Sequence, residues 1–305
     1  MVQILLKSAS FVFLIFLGYI LKRVKFFGPR DYGIVMKIVL NITLPMAVIT
    51  SFASYRPDYT LLLAVLVGFG LNWVLLGFAV VLSRGKKRAS RAVWLNSVPG
   101  YNIGAFALPF VQSFLPPAGV VACCLFDAGS AIMCTGGTYA LTSGMLGESK
   151  GLSLREIGKR LLSSRPFLTY VTMLVLTLLG VTIPAGIVSF ISPMASANAF
   201  LAMFMVGMMF DLRLDREILR DVAGMVALRL AAAVAAALGC YFLLPLPLEI
   251  RQALCITVFA PVSVASTAFA ERAGGDPGEA ACVNSLCILI SIVCMVTLLA
   301  VFGIL

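Results

Sequence analysis

The side chains best suited to bind a solute are Asn102 and Asp127, an amide and a carboxyl set in otherwise apolar sequence. Asn102 lies in the stretch Val98–Val111, which also holds Pro99, Gly100, Gly104 and Pro109. A proline inside a helix removes one backbone hydrogen bond and clashes with the carbonyl four residues back. In hydrocarbon the freed groups have no water to turn to, so irregular backbone survives only where it packs in protein or lines a polar cavity. A broken membrane helix with an amide at the break is therefore a candidate solute site. The amide suits a carboxylate or a bound water, and half-helix N-termini beside it add positive dipole. The plainer reading is an interhelical hydrogen bond that only holds the bundle.

Asp127 is the one acid placed well inside an apolar segment. An ionised aspartate at the bilayer centre costs at least about 2.5 kcal/mol, so it must be protonated, paired or facing water. With no histidine in the chain, it leads as a proton-coupling residue; the alternative is a structural partner to backbone donors. Asn41 and Pro45 share one helix face, where a kink either lines a cavity or lets neighbouring helices pack. Pro109 and Pro261 mark further mid-helix breaks. Ser51, Ser130, Ser266 and Asn284 are weaker pocket candidates, because intramembrane serines usually bond their own helix. Arg229 reads as a snorkelling side chain more than as an anion attractor, and Lys37 reads the same way. The small-residue stretches Gly100–Gly104 and Ala231–Gly239 predict close helix contacts.

These residues need a membrane scaffold. The 305 residues are 61% hydrophobic and 12% charged, with a mean hydropathy of +1.05. That composition excludes a soluble domain and a disordered chain alike. At about 20 apolar residues per crossing, the chain predicts ten spans. They run near Ile4–Leu21, Gly33–Ala53, Tyr59–Ser83, Ala92–Phe110 and Ala118–Ser143. After an amphipathic joint with a capping-box start at Ser153, a sixth and seventh divide near Pro184 to Pro193. The last three run near Val222–Leu244, Ile250–Ala270 and Gly278–Ile304. The domain plan is residues 1–148 as a first five-helix unit, 149–165 as a cytoplasmic amphipathic linker and 166–305 as a second five-helix unit. An odd number of spans per unit makes the two antiparallel, and paired proline breaks in each fourth helix fit an inverted repeat.

Most of the 23 basic residues fall in alternate turns: Lys22, Arg23, Lys25 and Arg30; Arg84, Lys86, Lys87, Arg88 and Arg91; Lys150, Arg155, Lys159, Arg160 and Arg165; Arg213, Arg216 and Arg220; and Arg272. The opposite turns hold Lys7, Arg56 and Arg251. The positive-inside rule then puts both termini outside. It also accounts for the net charge of +10 without a nucleic-acid partner. The eight cysteines lie in predicted spans without metal-ligand spacing and read as reduced packing residues. No cofactor or metal is expected, and the first apolar stretch reads as a retained span instead of a cleaved signal.

Together, Asn41-Ile-Thr-Leu-Pro45, Asn102-Ile-Gly-Ala-Phe-Ala-Leu-Pro109, Leu125-Phe-Asp127, Ala260-Pro261, Phe269-Ala-Glu-Arg272 and Gly274-Gly-Asp276 resemble the auxin efflux carrier family. The short central linker is closer to its bacterial, malate-permease-like members than to plant members with long cytoplasmic loops. The resemblance implies an all-α polytopic fold of ten transmembrane helices in two inverted five-helix repeats, with broken helices 4 and 9 crossing near the midplane. It implies a carrier of a small organic anion, such as a carboxylate or auxin-like acid, in a bacterial inner membrane. Asn102 and Pro109 would sit at the first crossing and Pro261 near the second. The expected partners are that anion, H+ or Na+ as coupling ion, the bilayer and a second copy of the chain. The rivals are a sodium-coupled bile-acid-type symporter and a non-transporting sensor or scaffold. An intramembrane enzyme is not expected: a second deep acid is missing for aspartyl proteolysis, and there is no histidine for a serine triad or a zinc helix.

Overall fold

Each helix follows from apolar runs punctuated by proline, glycine or clustered charge. The computed structural model describes residues 2–28, 30–55, 59–147, 152–210 and 216–303; Arg56, Lys150, Arg213, the 148/149 boundary and Ile304 lie outside them. Thirteen helices follow one another there, and no strand occurs among the described residues. They are α1 (Val2–Arg23), α2 (Tyr32–Ala53), α3 (Tyr59–Leu82), α4 (Arg88–Ser97), α5 (Ile103–Phe114), α6 (Pro117–Met145) and α7 (Leu154–Ser163). After them come α8 (Arg165–Leu178), α9 (Ala185–Met209), α10 (Arg216–Leu243), α11 (Leu248–Thr257), α12 (Val264–Arg272) and α13 (Pro277–Val301). Six are long and apolar enough to cross a membrane, counting α10 from Ile218. With the composition, they make this an integral membrane protein.

Proline acts differently at different places. Pro45 and Pro109 leave their helices continuous, because a wide turn precedes each: Leu44 N–H reaches back five residues to Val39 O, and Leu108 N–H to Ile103 O. The extra residue makes room for the pyrrolidine ring that would otherwise strike the previous turn. Pro193 is likewise held inside α9, so the division expected near Pro184 to Pro193 falls just before Ala185. Pro99 and Pro261, by contrast, lie in true breaks, residues 98–102 between α4 and α5 and 258–263 between α11 and α12.

Two helix pairs pack so closely that a side chain would not fit. On α1 and α9, a Cβ at Gly18 would lie 2.2 Å from Phe204 O and one at Gly207 1.9 Å from Ile15 O. On α3 and α6, the matching distances are 2.1 Å from Gly68 to Phe126 O and 2.0 Å from Gly129 to Val65 O. Each contact is reciprocal, the small-residue packing that lets membrane helices approach to backbone distance. Along Ala231–Gly239 the expected contact is made at Ala237, whose carbonyl accepts from Cys255 Sγ of α11 at 3.1 Å, while a Cβ at Gly239 would meet open space.

The joint at α7 has the predicted capping box: Ser153 Oγ accepts from Glu156 N–H, and the Glu156 carboxylate accepts from Ser153 N–H at 2.7 Å. That backbone donor, with the Ser153 hydroxyl, holds Glu156 below the usual carboxylate range. Helix α7 then meets α8 at a 75° bend.

Candidate functional site

The two breaks touch. Asn102 N–H donates to Pro261 O at 2.8 Å, tying the start of α5 to the gap before α12. Gly100 has φ +93°, and a Cβ there would lie 3.4 Å from both Ser263 Cβ and Ser266 Oγ, so glycine suits both the turn and the approach. Gly100 N–H donates to Asn72 Oδ1 at 2.9 Å, and Asn72 Nδ2 donates to Gly68 O and to Ser130 Oγ. Asn72 is fully buried, and its sequence context is an ordinary apolar helix. Replacing it with alanine leaves the Gly100 N–H without its acceptor, at a cost of about 1–3 kcal/mol. Asn72→Ala is expected to unfold at a measurably lower temperature in detergent than wild type; equal melting would deny the amide its role.

The carbonyls of the breaks converge on Arg229. Its guanidinium donates to Val98 O, to Gly100 O at 2.9 Å and to Ala260 O at 3.0 Å, and it lies 5.1 Å from the centroid of the Tyr101 ring. Arg229 is 7% exposed. This corrects the snorkelling expectation: the open carbonyls left by the interrupted helices hold the cation inside, which no reading of α10 alone would reveal.

On the other side of the breaks lies a cavity of about 460 Å³. The first residues of α5 (Ile103, Gly104, Ala105) and of α12 (Val264, Ala265), with Ser263 before it, form part of its wall. Backbone N–H groups in the first turn of a helix have no intrahelical acceptor and carry the positive end of its dipole. Asn102, Asp127 and Asn41 also line this cavity, so three of the residues singled out from sequence meet in one place. Tyr170, from α8, donates its hydroxyl to Asp127 Oδ2 at 2.9 Å. Asn41 sits nearer the surface, with its Nδ2 donating to Lys37 O at 2.7 Å. The exposed Arg165, where α7 turns into α8, adds a positive charge to the lining.

The other sequence candidates stand elsewhere. Pro45 and Pro109 are buried under the wide turns, off the cavity wall. Ser51 Oγ donates to Ala47 O of its own helix at 2.9 Å. Ser130 serves Asn72 and lies 3.3 Å from Cys134 Sγ. Ser266 is buried against Gly100, and Pro261 contributes its carbonyl to the crossing. Asn284 lines a different cavity, of about 900 Å³, together with Lys25, and its buried Oδ1 has no hydrogen-bond partner among the described residues. Sequence reasoning missed Tyr170, Arg165 and Asn72. Tyr170 alone carried a signal, as a phenol within an apolar span.

The chain matches no protein-family model and no characterised protein sequence. Among the described residues, no group of three or more His, Cys, Asp or Glu side chains is placed to hold a metal ion. The cavity wall thus combines the starts of two helices, the Asn102 amide and the Asp127 carboxyl.

Proposed function

We propose that the protein is a secondary carrier for a small organic anion, which binds in the cavity at the crossing of the two broken helices. The observation that carries this reading is the convergence of two half-helix N-termini and Asn102 on one cavity. Oriented dipoles of that kind replace the water of a carboxylate without burying a mobile cation. The motif resemblance to the auxin efflux carriers supports the same reading and supplies the substrate class.

In this proposal α4 with α5, and α11 with α12, are each one interrupted crossing. The helices then group as ten spans in two inverted five-helix repeats, residues 1–148 and 166–305, joined by a cytoplasmic linker. Both termini face outward from a bacterial inner membrane. The solute gains access alternately from the two sides by an elevator-like or rocking movement, and Asp127 carries the coupling proton.

The test is uptake of labelled malate into proteoliposomes bearing wild type or Asn102→Ala, first under an imposed pH gradient and then under a sodium gradient. Wild type should accumulate malate under the pH gradient. The variant should lose at least about tenfold, the scale of one or two lost hydrogen bonds to an anion, while inserting equally well. Normal uptake by Asn102→Ala would remove the site assignment. Accumulation driven by sodium alone would move the reading to the bile-acid-type symporters.

A further inference from the structure

We propose that Arg229 is a built-in cation, occupying the post at the helix crossing that a transported coupling ion such as Na+ fills in other carriers with interrupted helices. For its transport arm the inference rests on the carrier reading above; its binding arm does not.

Where α4 and α11 end, their last carbonyls lack helical donors and present the negative ends of two dipoles. Unwound carbonyls and half-helix C-termini of this kind are the groups that coordinate Na+ in carriers with discontinuous helices. Here Val98 O and Gly100 O from one break and Ala260 O from the other all accept from a single guanidinium. The Tyr101 ring lies beside it, and a guanidinium gains from an aromatic face once water is excluded.

No described carboxylate forms an ion pair with this charge. Among the described residues the one ion pair joins Lys86 to Asp221. A lone arginine at membrane depth is costly, so three carbonyls and a ring are what keep it there. Arginine suits the task better than lysine: it stays charged, is weakly hydrated, and its planar fork reaches two separate segments at once.

The consequence is a division of labour across the crossing. The carbonyl side is neutralised permanently by Arg229, while the N–H side is left open to the solute. Arg229 is a positioning residue: it touches no solute, but it holds both breaks so that Asn102 and the starts of α5 and α12 share one cavity. A carrier so built needs no sodium at the crossing, which leaves Asp127 as the group facing a coupling ion.

The experiment compares wild type, Arg229→Ala and Arg229→Lys, purified in detergent and melted in choline, sodium or millimolar guanidinium chloride; malate uptake is measured in parallel. Wild type should melt alike in all three salts and take up malate equally in choline and sodium. Arg229→Ala should melt lower, recover specifically with guanidinium, and lose at least about tenfold in uptake, with partial rescue by the same ion. A sodium requirement for wild-type uptake, or an alanine variant that melts as wild type, overturns the inference. If the alanine protein does not fold, Arg229→Lys decides: a lowered melting point raised by guanidinium supports the proposal, and wild-type melting with no response overturns it. If none of the proteins moves malate, the melting arm still decides, and it is the carrier reading's substrate that has failed.

Discussion

Asp127→Asn is expected to abolish accumulation of malate driven by a pH gradient, by at least about tenfold, while exchange of internal for external malate continues. The substitution is nearly isosteric, and the amide oxygen can still accept from Tyr170, whose hydroxyl sits 2.9 Å from Oδ2. What it removes is the ability to take up and release a proton, at a place where a charge is costly unless it is paired or wetted. The loss should therefore fall on coupling and leave the binding geometry intact. Tyr170→Phe is the control in the other direction. It leaves the acid in place and removes one hydrogen bond to the carboxyl, worth about 0.5–1.5 kcal/mol, so uptake should weaken and stay proton-driven. A concentrative, pH-driven Asp127→Asn protein would mean that the carboxyl is only a structural acceptor.

Arg165→Glu should act on the approach of the solute. Arg165 is exposed and lies on the cavity lining at the α7–α8 corner. Reversing its charge puts a repulsive field over the entrance, and charge-steered association changes by about tenfold or more at low ionic strength. The apparent KM should rise with little change in maximal rate, and the defect should shrink in high salt, where the screening length falls to a few ångströms. A salt-independent defect would place Arg165 in the binding step itself.

The features that sequence could reveal were those written in local chemistry. Pro99, Gly100 and Asn102 announce a break because each contradicts an uninterrupted helix in hydrocarbon, and the break is there. The capping box at Ser153 and Glu156 is complete within four residues. The hidden features were long-range. Arg229 is some 130 residues from the carbonyls of Val98 and Gly100, and Asn72 is 28 residues from the N–H it holds. Neither partner set follows from the periodicity of its own helix. Pro45 and Pro109 misled for a different reason: proline signals a disturbed hydrogen-bond ladder, but one extra residue in the turn absorbs that disturbance without opening a cavity. Ser130 was a plausible pocket hydroxyl until Asn72 claimed it.

In the proposed carrier, the donors offered to the anion at the crossing are largely main-chain N–H groups, and this bears on how the protein can diverge. A peptide N–H is the same whatever side chain is attached, so among single substitutions only one to proline deletes it. Lineages descended from this chain can exchange Asn41, Asn102 or Arg165 and so retune which anion is favoured, while the preference for negative charge itself persists. Ligand identity is thus open to drift, and ligand sign is heritable with the backbone.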